Sequence, residues 1–547
     1  MGEEKDIAST GPDQGISPQQ GVHAIEHPTG LLASSIFHKI FSFQALLAAL
    51  LLGGVMGTIF LNLRQAASPL PGQTQLSIFE GDTWWHLAVG KQILRTHAWP
   101  TVDPYSFTAP GNPWIAYEWL GDVAMAAADR AAGLTGLTIL YASLTVGLIL
   151  LMFAYAYTRS RSAKAAFVAC ALLLPLAVVS FTLRPQLLGY IFLLVTLILL
   201  ERFRQAKQKS LWILPPVFLL WINTHGTFAF GLAVLGLYWA SGLVDFKIGG
   251  IRAERWTDPQ RRHLGLVTLL SLVAVVITPY GTRLAAYPVQ MAFFQPVNIA
   301  SFQEWRSPDF GTIYGKMFLA MILLIVLLPM VTRIEYRLEE LGLLLFGIYA
   351  ACLHMRFVIV FAMIFAPVLA SLIARSMPAY DARKDKYVLN AALMALIAFG
   401  CVMLFPSRQE LREVVNHAFP AGAVEYIQQH PSVGRTFNEE FWGGYLISKL
   451  EPEKKVFIDG RADLYEAAGV LTDYLDIAAP SDNTLFLLRK YHVSSCLIKP
   501  GSPLAVYLAH SPGWNQVYSD ELSVLFVNQK QVASKFAAGK AAATSIH

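Results

Sequence analysis

Residues 41–63 read FSFQALLAALLLGGVMGTIFLNL, an uncharged apolar run. A helix needs about twenty such residues to cross a bilayer. Soon after it comes Glu80-Gly81-Asp82-Thr83-Trp84-Trp85-His86, two carboxylates, two indoles and an imidazole in one short stretch. Asp82, Trp85 and His86 fall on one side of a helical pattern continued by Val89, Gly90 and Ile93. An acidic, aromatic helix start beside a membrane span points to polar chemistry on something lipid-borne.

The whole chain agrees with that first run. It has 547 residues, 55% hydrophobic and only 14% charged, with a mean hydropathy of +0.46. A soluble chain carries about 25% charged residues. Further apolar windows follow at 136–158, 165–182, 187–200, 211–222, 227–244, 264–278, 317–332, 341–353, 357–374 and 387–405. The pattern predicts a polytopic α-helical membrane protein with about eleven transmembrane helices and a C-terminal α/β soluble domain. Residues 1–40 read as a disordered cytoplasmic tail, too polar for a signal peptide. The membrane domain is 41–405, with a long hydrophilic loop at 64–135; 406–530 is the α/β domain and 531–547 a flexible tail. Cys170, Cys352 and Cys401 lie in apolar runs and Cys496 in the polar C-terminal part, so no disulfide framework is indicated.

The connections give an orientation. Loops at 159–164, 201–209, 245–263, 333–340 and 375–386 together hold 18 Lys and Arg, and the opposite short connections hold five, Arg184, Arg283, Arg306, Lys316 and Arg356. By the positive-inside rule the N-terminus is cytoplasmic, and the 64–135 loop and the C-terminal domain face outward. The expected location is the plasma (inner) membrane. The net charge of +5 then reflects topology, and nucleic-acid binding is not needed to explain it.

The outward loop contains amphipathic segments at about 82–95 and 117–132, separated by the turn-rich Pro100–Ser106. Trp84, Trp85, Trp99, Trp114 and Trp119 form either an interfacial aromatic belt or, for the Trp84-Trp85 pair, a platform for a sugar ring. In 406–530, Val424–His430, Trp442–Leu450, 466–477 and 483–491 read as helices. Gly434–Asn438, Lys455–Asp459, Ser494–Ile498, Gln516–Tyr518 and Ser523–Val527 read as strands.

Polar residues interrupt the apolar runs at one end of the predicted spans. They are Arg184, His225, Arg283, Glu304 with Trp305 and Arg306, His354 and Arg356. Snorkelling accounts for a single Arg. A whole set on the side of Asp82 implies a shared cavity lined by cations and a few carboxylates, suited to phosphate oxygens. No HExxH, paired CxxC or Walker sequence occurs, which disfavours zinc chemistry and ATP hydrolysis.

This layout resembles the GT-C superfamily of integral-membrane glycosyltransferases, which use polyprenyl-phosphate-linked sugars. Asp82-Thr83-Trp84-Trp85-His86 is similar to the Asp-aromatic-aromatic stretch in the first external loop of the oligosaccharyltransferase catalytic subunit. Glu304 is similar in placement to that family's second acidic position. Phe441-Trp442-Gly443-Gly444-Tyr445 is faintly similar to its Trp-Trp-Asp-Tyr-Gly motif, with Gly443 in place of the Asp, a departure that bears on recognition of a peptide acceptor.

The resemblance implies a GT-C-like fold and transfer of a sugar to a glycan, lipid or protein acceptor on the outer face. Asp82 is then an N-cap, a general base for an acceptor hydroxyl, or with Glu304 a ligand of a divalent cation such as Mg2+ or Mn2+. Glu304 supports the acid side of the cavity or pairs locally with Arg306. Arg184, Arg356 and Arg283, assisted by His225 and His354, are expected to hold the donor phosphate. Trp84, Trp85, His86, Glu118 and Trp305 are expected to contact the sugar. Glu80 either shares a metal with Asp82 or is solvated, and Asp103 reads as a turn former. Ile458-Asp459-Gly460-Arg461-Ala462-Asp463 is either a Gly turn with an Asp–Arg pair or part of an acceptor site. The alternatives in function are a polymerase or ligase of lipid-linked glycans, a transporter, and a non-enzymatic glycan-binding protein.

Overall fold

The computed structural model describes residues 36–69, 77–177, 180–332, 335–430 and 433–529. Of the expected tails only 36–40 falls within these residues; 1–35 and 531–547 lie outside them. The helices begin with α1 (Phe43–Ala66), α2 (Gly81–Thr96), α3 (Trp119–Ser160), α4 (Ala163–Ala177), α5 (Gln186–Arg204), α6 (Leu214–Ile222) and α7 (Phe228–Ser241). Strands β1 (Phe246–Ile248) and β2 (Ile251–Ala253) precede α8 (Asp258–Ala274), α9 (Thr282–Phe293), α10 (Pro296–Ser301) and α11 (Ile313–Thr332). Then come β3 (Tyr336–Arg337), α12 (Leu338–Leu353), α13 (Val358–Ile373) and α14 (Tyr387–Leu404).

Each apolar window centres on a helix. Among the described residues five helices are long and apolar enough to cross a membrane: Phe43–Ala66, Trp119–Ser160, Gln186–Arg204, Met355–Ser376 and Tyr387–Leu404. α13 is apolar on every face and buried along nearly its whole length, as a helix at the centre of a bundle must be. α14 is the reverse, with Asn390 its only buried residue. Asn390 Nδ2 donates to the Phe41 carbonyl at 2.9 Å and fixes α14 to the start of α1. The two predicted segments, 117–132 and 136–158, are the two arms of α3, which kinks between them at Ala132–Gly133 where the backbone leaves helical dihedrals.

At the end of the bundle away from Asp82, Arg337 pairs with Glu201 at 2.6 Å, Arg204 with Glu339 at 3.1 Å, and Arg159 with Glu340. A small sheet of β1, β2 and β3 lies there, a feature without a sequence expectation.

The C-terminal part contains α15 (Arg408–Ala418), α16 (Ala421–Gln429), β4 (Thr436–Asn438), α17 (Glu440–Leu450), α18 (Ala462–Ala467), α19 (Val470–Ala478) and α20 (Thr484–Lys490). It ends with β5 (Ser495–Ile498), α21 (Pro503–Ala509), β6 (Trp514–Ser519) and β7 (Val524–Asn528). The strand order is β4-β5-β7-β6, with β4 parallel to β5 and the other pairs antiparallel. The expected strand at 455–459 does not join this sheet. Val456 instead exchanges backbone hydrogen bonds with Tyr105 and Phe107, both at 3.1 Å, so its partner is the loop before α3.

Arg461 locks that contact. It is fully buried, donates from Nε and Nη2 to Asp459 at 2.7 Å, and pairs through Nη1 with Asp103 at 2.8 Å. Its guanidinium lies 4.7 Å from the Trp114 ring. Asp103 is a turn former, accepting from the Tyr105 and Ser106 N–H groups, and also one half of this clamp. The segment read as amphipathic over 82–95 forms α2, enclosed more than that reading implies. α3 packs on one side of α2 and α17 on the other, so the first half of α2 is buried nearly all round.

Candidate active site

Glu80 is the N-cap of α2, and the Thr83 hydroxyl accepts from its N–H at 3.1 Å. Asp82 is therefore not the cap; it lies in the first turn, where the helix dipole favours its ionised form. The Trp85 indole N–H donates to Asp82 Oδ1 at 3.1 Å. Thr83 also donates to the Leu183 carbonyl at 3.1 Å, and the Leu183 N–H donates to Ile78 at 3.1 Å. These bonds bring the next residue, Arg184, against the carboxylates. Arg184 Nη2 lies 2.5 Å from Glu80, and Nη1 lies 3.0 Å from Asp82 and 3.4 Å from Glu304.

Glu304 is not paired with Arg306. Its other oxygen lies 3.0 Å from Arg356 Nη1, and the Met355 N–H donating to the Arg306 carbonyl at 2.8 Å holds the two segments together. Glu118 reaches the same place because Asn223 accepts from the Leu120 N–H at 3.0 Å and from the Trp119 indole at 2.8 Å. That contact sets His225 Nε2 3.3 Å from Glu118, with His86 Nε2 on its other side at 3.4 Å.

These groups line a cavity of about 420 Å³. Its wall includes Asp82, Trp85, His86, Glu118, Arg184, His225, Glu304, Trp305 and Arg356, with Glu80 beside them. The predicted convergence is observed, but its sign differs from expectation. Glu440 and Asp463 join from the C-terminal part, so six carboxylates face two guanidiniums. The sequence reading missed both, although each adjoins a stretch it singled out. Tyr117 and Tyr287 were also missed; they stack at 4.1 Å between centroids and line the cavity.

Three expected contacts are not in the wall. Trp84 is buried in packing against Phe79, Phe419 and Tyr445, since its neighbour Trp85 takes the cavity side of α2. Arg283 is exposed at the start of α9. His354 sits behind Trp305, whose carbonyl lies 2.5 Å from Nδ1, and so positions that indole. Trp305 in turn lies against the Arg356 guanidinium at 4.3 Å.

Burial raises the Asp82 pKa, with Arg184 opposing and the Glu304 and Glu80 carboxylates adding. For Glu304 burial also acts upward, but the Arg356 and Arg184 guanidiniums outweigh it and hold the carboxyl below its ordinary value. Burial pushes Glu118 and Glu440 up to about 8 and Asp463 to about 6. The cavity thus mixes carboxyls that stay ionised with carboxyls that carry protons at neutral pH.

The Gly460 turn closes this wall. A Cβ on Gly460 would collide with Asp82 Oδ1, so only glycine lets the turn rest on the carboxylate. Gly443 has an equally direct reason. A Cβ there would run into the Ile458 carbonyl, leaving no room for an Asp at that motif position.

A divalent cation does not fit the Asp82–Glu304 pair as it stands. Both carboxylates are turned onto Arg184 Nη1, so a guanidinium occupies the place between them. Among the described residues no group of three or more His, Cys, Asp or Glu side chains is arranged to hold a metal.

No protein-family model matches the chain, and no curated protein matches it at a significant level. Among solved structures it is similar to the oligosaccharyltransferase of Archaeoglobus fulgidus tethered with an acceptor peptide, at 12% identity and a TM-score of 0.49 over 88% of this chain and 74% of that one. It is also similar to AglB of the same organism in complex with an inhibitory peptide and a dolichol-phosphate, at 10% identity and 0.47, with the same coverage. A third is ArnT from Cupriavidus metallidurans bound to undecaprenyl phosphate, at 13% identity and 0.45 over 88% and 97%. The first two are of the kind that the Asp82–His86 stretch resembles.

Proposed function

We propose that the cavity is the active site of a GT-C-type membrane glycosyltransferase, taking a sugar from a polyprenyl-phosphate-linked donor. The observation that supports this most is the arrangement of Asp82 and Glu304 around Arg184, with Arg356 beside them and Trp85, Trp305 and Tyr117 as walls. Ionised Asp82 takes the proton of an acceptor hydroxyl as that oxygen attacks the anomeric carbon. The bond from that carbon to the phosphate oxygen breaks, and its electron pair leaves with the phosphate. Arg356 is the better phosphate contact, because it faces one carboxylate whereas Arg184 faces three. Arg184 keeps the three acids together, and the indoles and phenols give the ring an apolar face on which to stack.

In this reading the apolar windows form about eleven spans in the plasma (inner) membrane, with the N-terminus cytoplasmic and residues 406–530 outside. The donor lipid lies in the bilayer and the acceptor reaches the cavity from the outer face. Positive charge between Asp82 and Glu304 comes from Arg184, so neither Mg2+ nor Mn2+ is assigned a role.

The test combines one substitution with one analysis. Asp82→Asn should abolish transfer while expression and membrane insertion stay intact, and mass spectrometry of copurified lipid should find a polyprenyl-phosphate sugar. Full transfer by that variant would remove the mechanism. Lipid recovered uncleaved from an inactive wild type would instead favour a transporter or binding protein.

A further inference from the structure

Two residues of the cavity wall, Tyr287 and Met291, lie four apart on α9 and therefore on one face of it. The other face carries Val289 and Phe293, 55% and 76% exposed, and Phe294 follows at 70%. Leu284 is the only residue of α9 that is fully buried. One helix thus separates the cavity from the outside along this side, and little packing of its own holds it there. α10 comes directly after it and adds Asn298 to the same wall.

α10 has six residues, too few to be stable by itself. Pro296 opens it, so its first unpaired N–H groups are those of Val297 and Asn298. An N-cap side chain ordinarily accepts such bonds, but Gln295, the N-cap here, does not. The acceptor is Glu466, on α18 of the C-terminal part. Its Oε1 accepts from the Val297 N–H at 2.9 Å and its Oε2 from the Asn298 N–H at 2.7 Å. Bonds from a backbone N–H to a carboxylate are about twice as strong as neutral ones. Between Thr282 and Phe302 these two are, among the described residues, the backbone groups that hydrogen-bond outside the 279–312 connection. Gln295 Nε2 adds a longer side-chain contact, donating to the Asp463 carbonyl at 3.4 Å. The ends of the connection are fixed elsewhere. Tyr280 Oη donates to the Pro100 carbonyl at 2.9 Å and accepts from the Ala116 N–H at 3.1 Å. Arg306 accepts from the Met355 N–H at 2.8 Å, which anchors Glu304 beside Arg356.

We propose that Glu466 is a positioning residue of the transfer, tying the α9–α10 segment to the C-terminal part and so holding the Tyr287–Asn298 side of the cavity in place around the sugar. The inference rests on reading the cavity as a transfer site. Glu466 does not itself line the cavity. Its loss frees Tyr287, Met291 and Asn298, whereas Arg356 and Glu304 keep their own anchor.

Hydrogen–deuterium exchange of the full chain in lipid nanodiscs, without substrate, reads the tether directly. In Glu466→Ala the amides of 282–302 should exchange about tenfold faster or more, while those of β5 and β7 keep their wild-type rates. Glu466→Gln, which retains one acceptor oxygen, should fall between. With the copurified lipid-linked sugar as donor, Glu466→Ala should lower kcat by about ten- to a hundredfold, the worth of one hydrogen bond to a charged group. Binding of undecaprenyl phosphate should stay within about twofold, because the Arg356–Glu304 pair is anchored separately. Adding Gln295→Asp to Glu466→Ala gives α10 a local cap for the same two N–H groups without restoring the tether. In that double variant α9 should still exchange fast and kcat should stay low. Recovery of kcat there would reduce Glu466 to a helix cap and overturn the proposal. Wild-type exchange over 282–302 in Glu466→Ala overturns it too, as does equal acceleration in β5 and β7, which would make the residue a support of the whole C-terminal part. A wild type without any transfer would count against the glycosyltransferase reading alone, because exchange reports the tether by itself.

Discussion

The Arg461 clamp makes the sharpest stability prediction. Arg461→Ala leaves Asp103 and Asp459, both fully buried, facing each other without a countercharge. It also removes the cation from the faces of Trp114 at 4.7 Å and Tyr105 at 5.1 Å. Breaking a buried ion pair by removing one partner costs about 3–5 kcal/mol. For a unit the size of the C-terminal part this corresponds to a fall in Tm on the order of 10 °C. Thermal unfolding of the full chain in detergent, followed by tryptophan fluorescence, would read it, and limited proteolysis should show 64–135 becoming cleavable in parallel. A neutral triple variant, Asp103→Asn with Arg461→Met and Asp459→Asn, should recover much of the loss because no charge is left buried alone. An Arg461→Ala protein that melts within about 2 °C of wild type would refute the reasoning, since no change that small accommodates two orphaned buried carboxylates.

Gly460→Ala should lower kcat more than it lowers Tm, because its Cβ displaces Asp82 while the clamp next door stays intact; equal activity would mean Asp82 is not poised by that turn. Transfer should persist in EDTA, and an absolute Mg2+ or Mn2+ requirement would show that the guanidinium between Asp82 and Glu304 is displaced by metal in the working enzyme. His225 is kept neutral in the fold, with a pKa near 3 against 6.5 for the free side chain. The unfolded chain therefore binds its proton first as pH falls, so stability is lost from about pH 6.5 downward. His225→Gln should flatten that part of the Tm–pH curve, and an unchanged slope would point to another group.

The legible part of this protein was the part with a local cause. Apolar length marks a helix, and the windows found their helices. Arg184, His225, Glu304 and Arg356 stood out because each interrupts an apolar run on the same side, and they meet. What could not be read was long-range. Trp84 and Trp85 are neighbours on one helix, and only the packing of α3 and α17 decides which faces the cavity. Glu440 and Asp463 arrive from beyond the last apolar helix, and they turn an expected cationic cavity into an acidic one. Lys455–Asp459 has the alternation of a strand, but its hydrogen-bonding edge was claimed by the Tyr105–Phe107 loop before the sheet could use it.

That last pairing sets a time order on the making of the protein. A ribosome that has delivered residues 1–405 has produced Asp82, Arg184, Glu118, Glu304 and Arg356, but the cavity still lacks the side formed by Glu440, Gly460 and Asp463. Until then Asp103 has no Arg461, and the Tyr105–Phe107 edge has nothing to bond. The cavity therefore gains its last wall only once Glu440, Gly460 and Asp463 have been made, and a chain stalled before them presents Asp82 without a closed chamber around it.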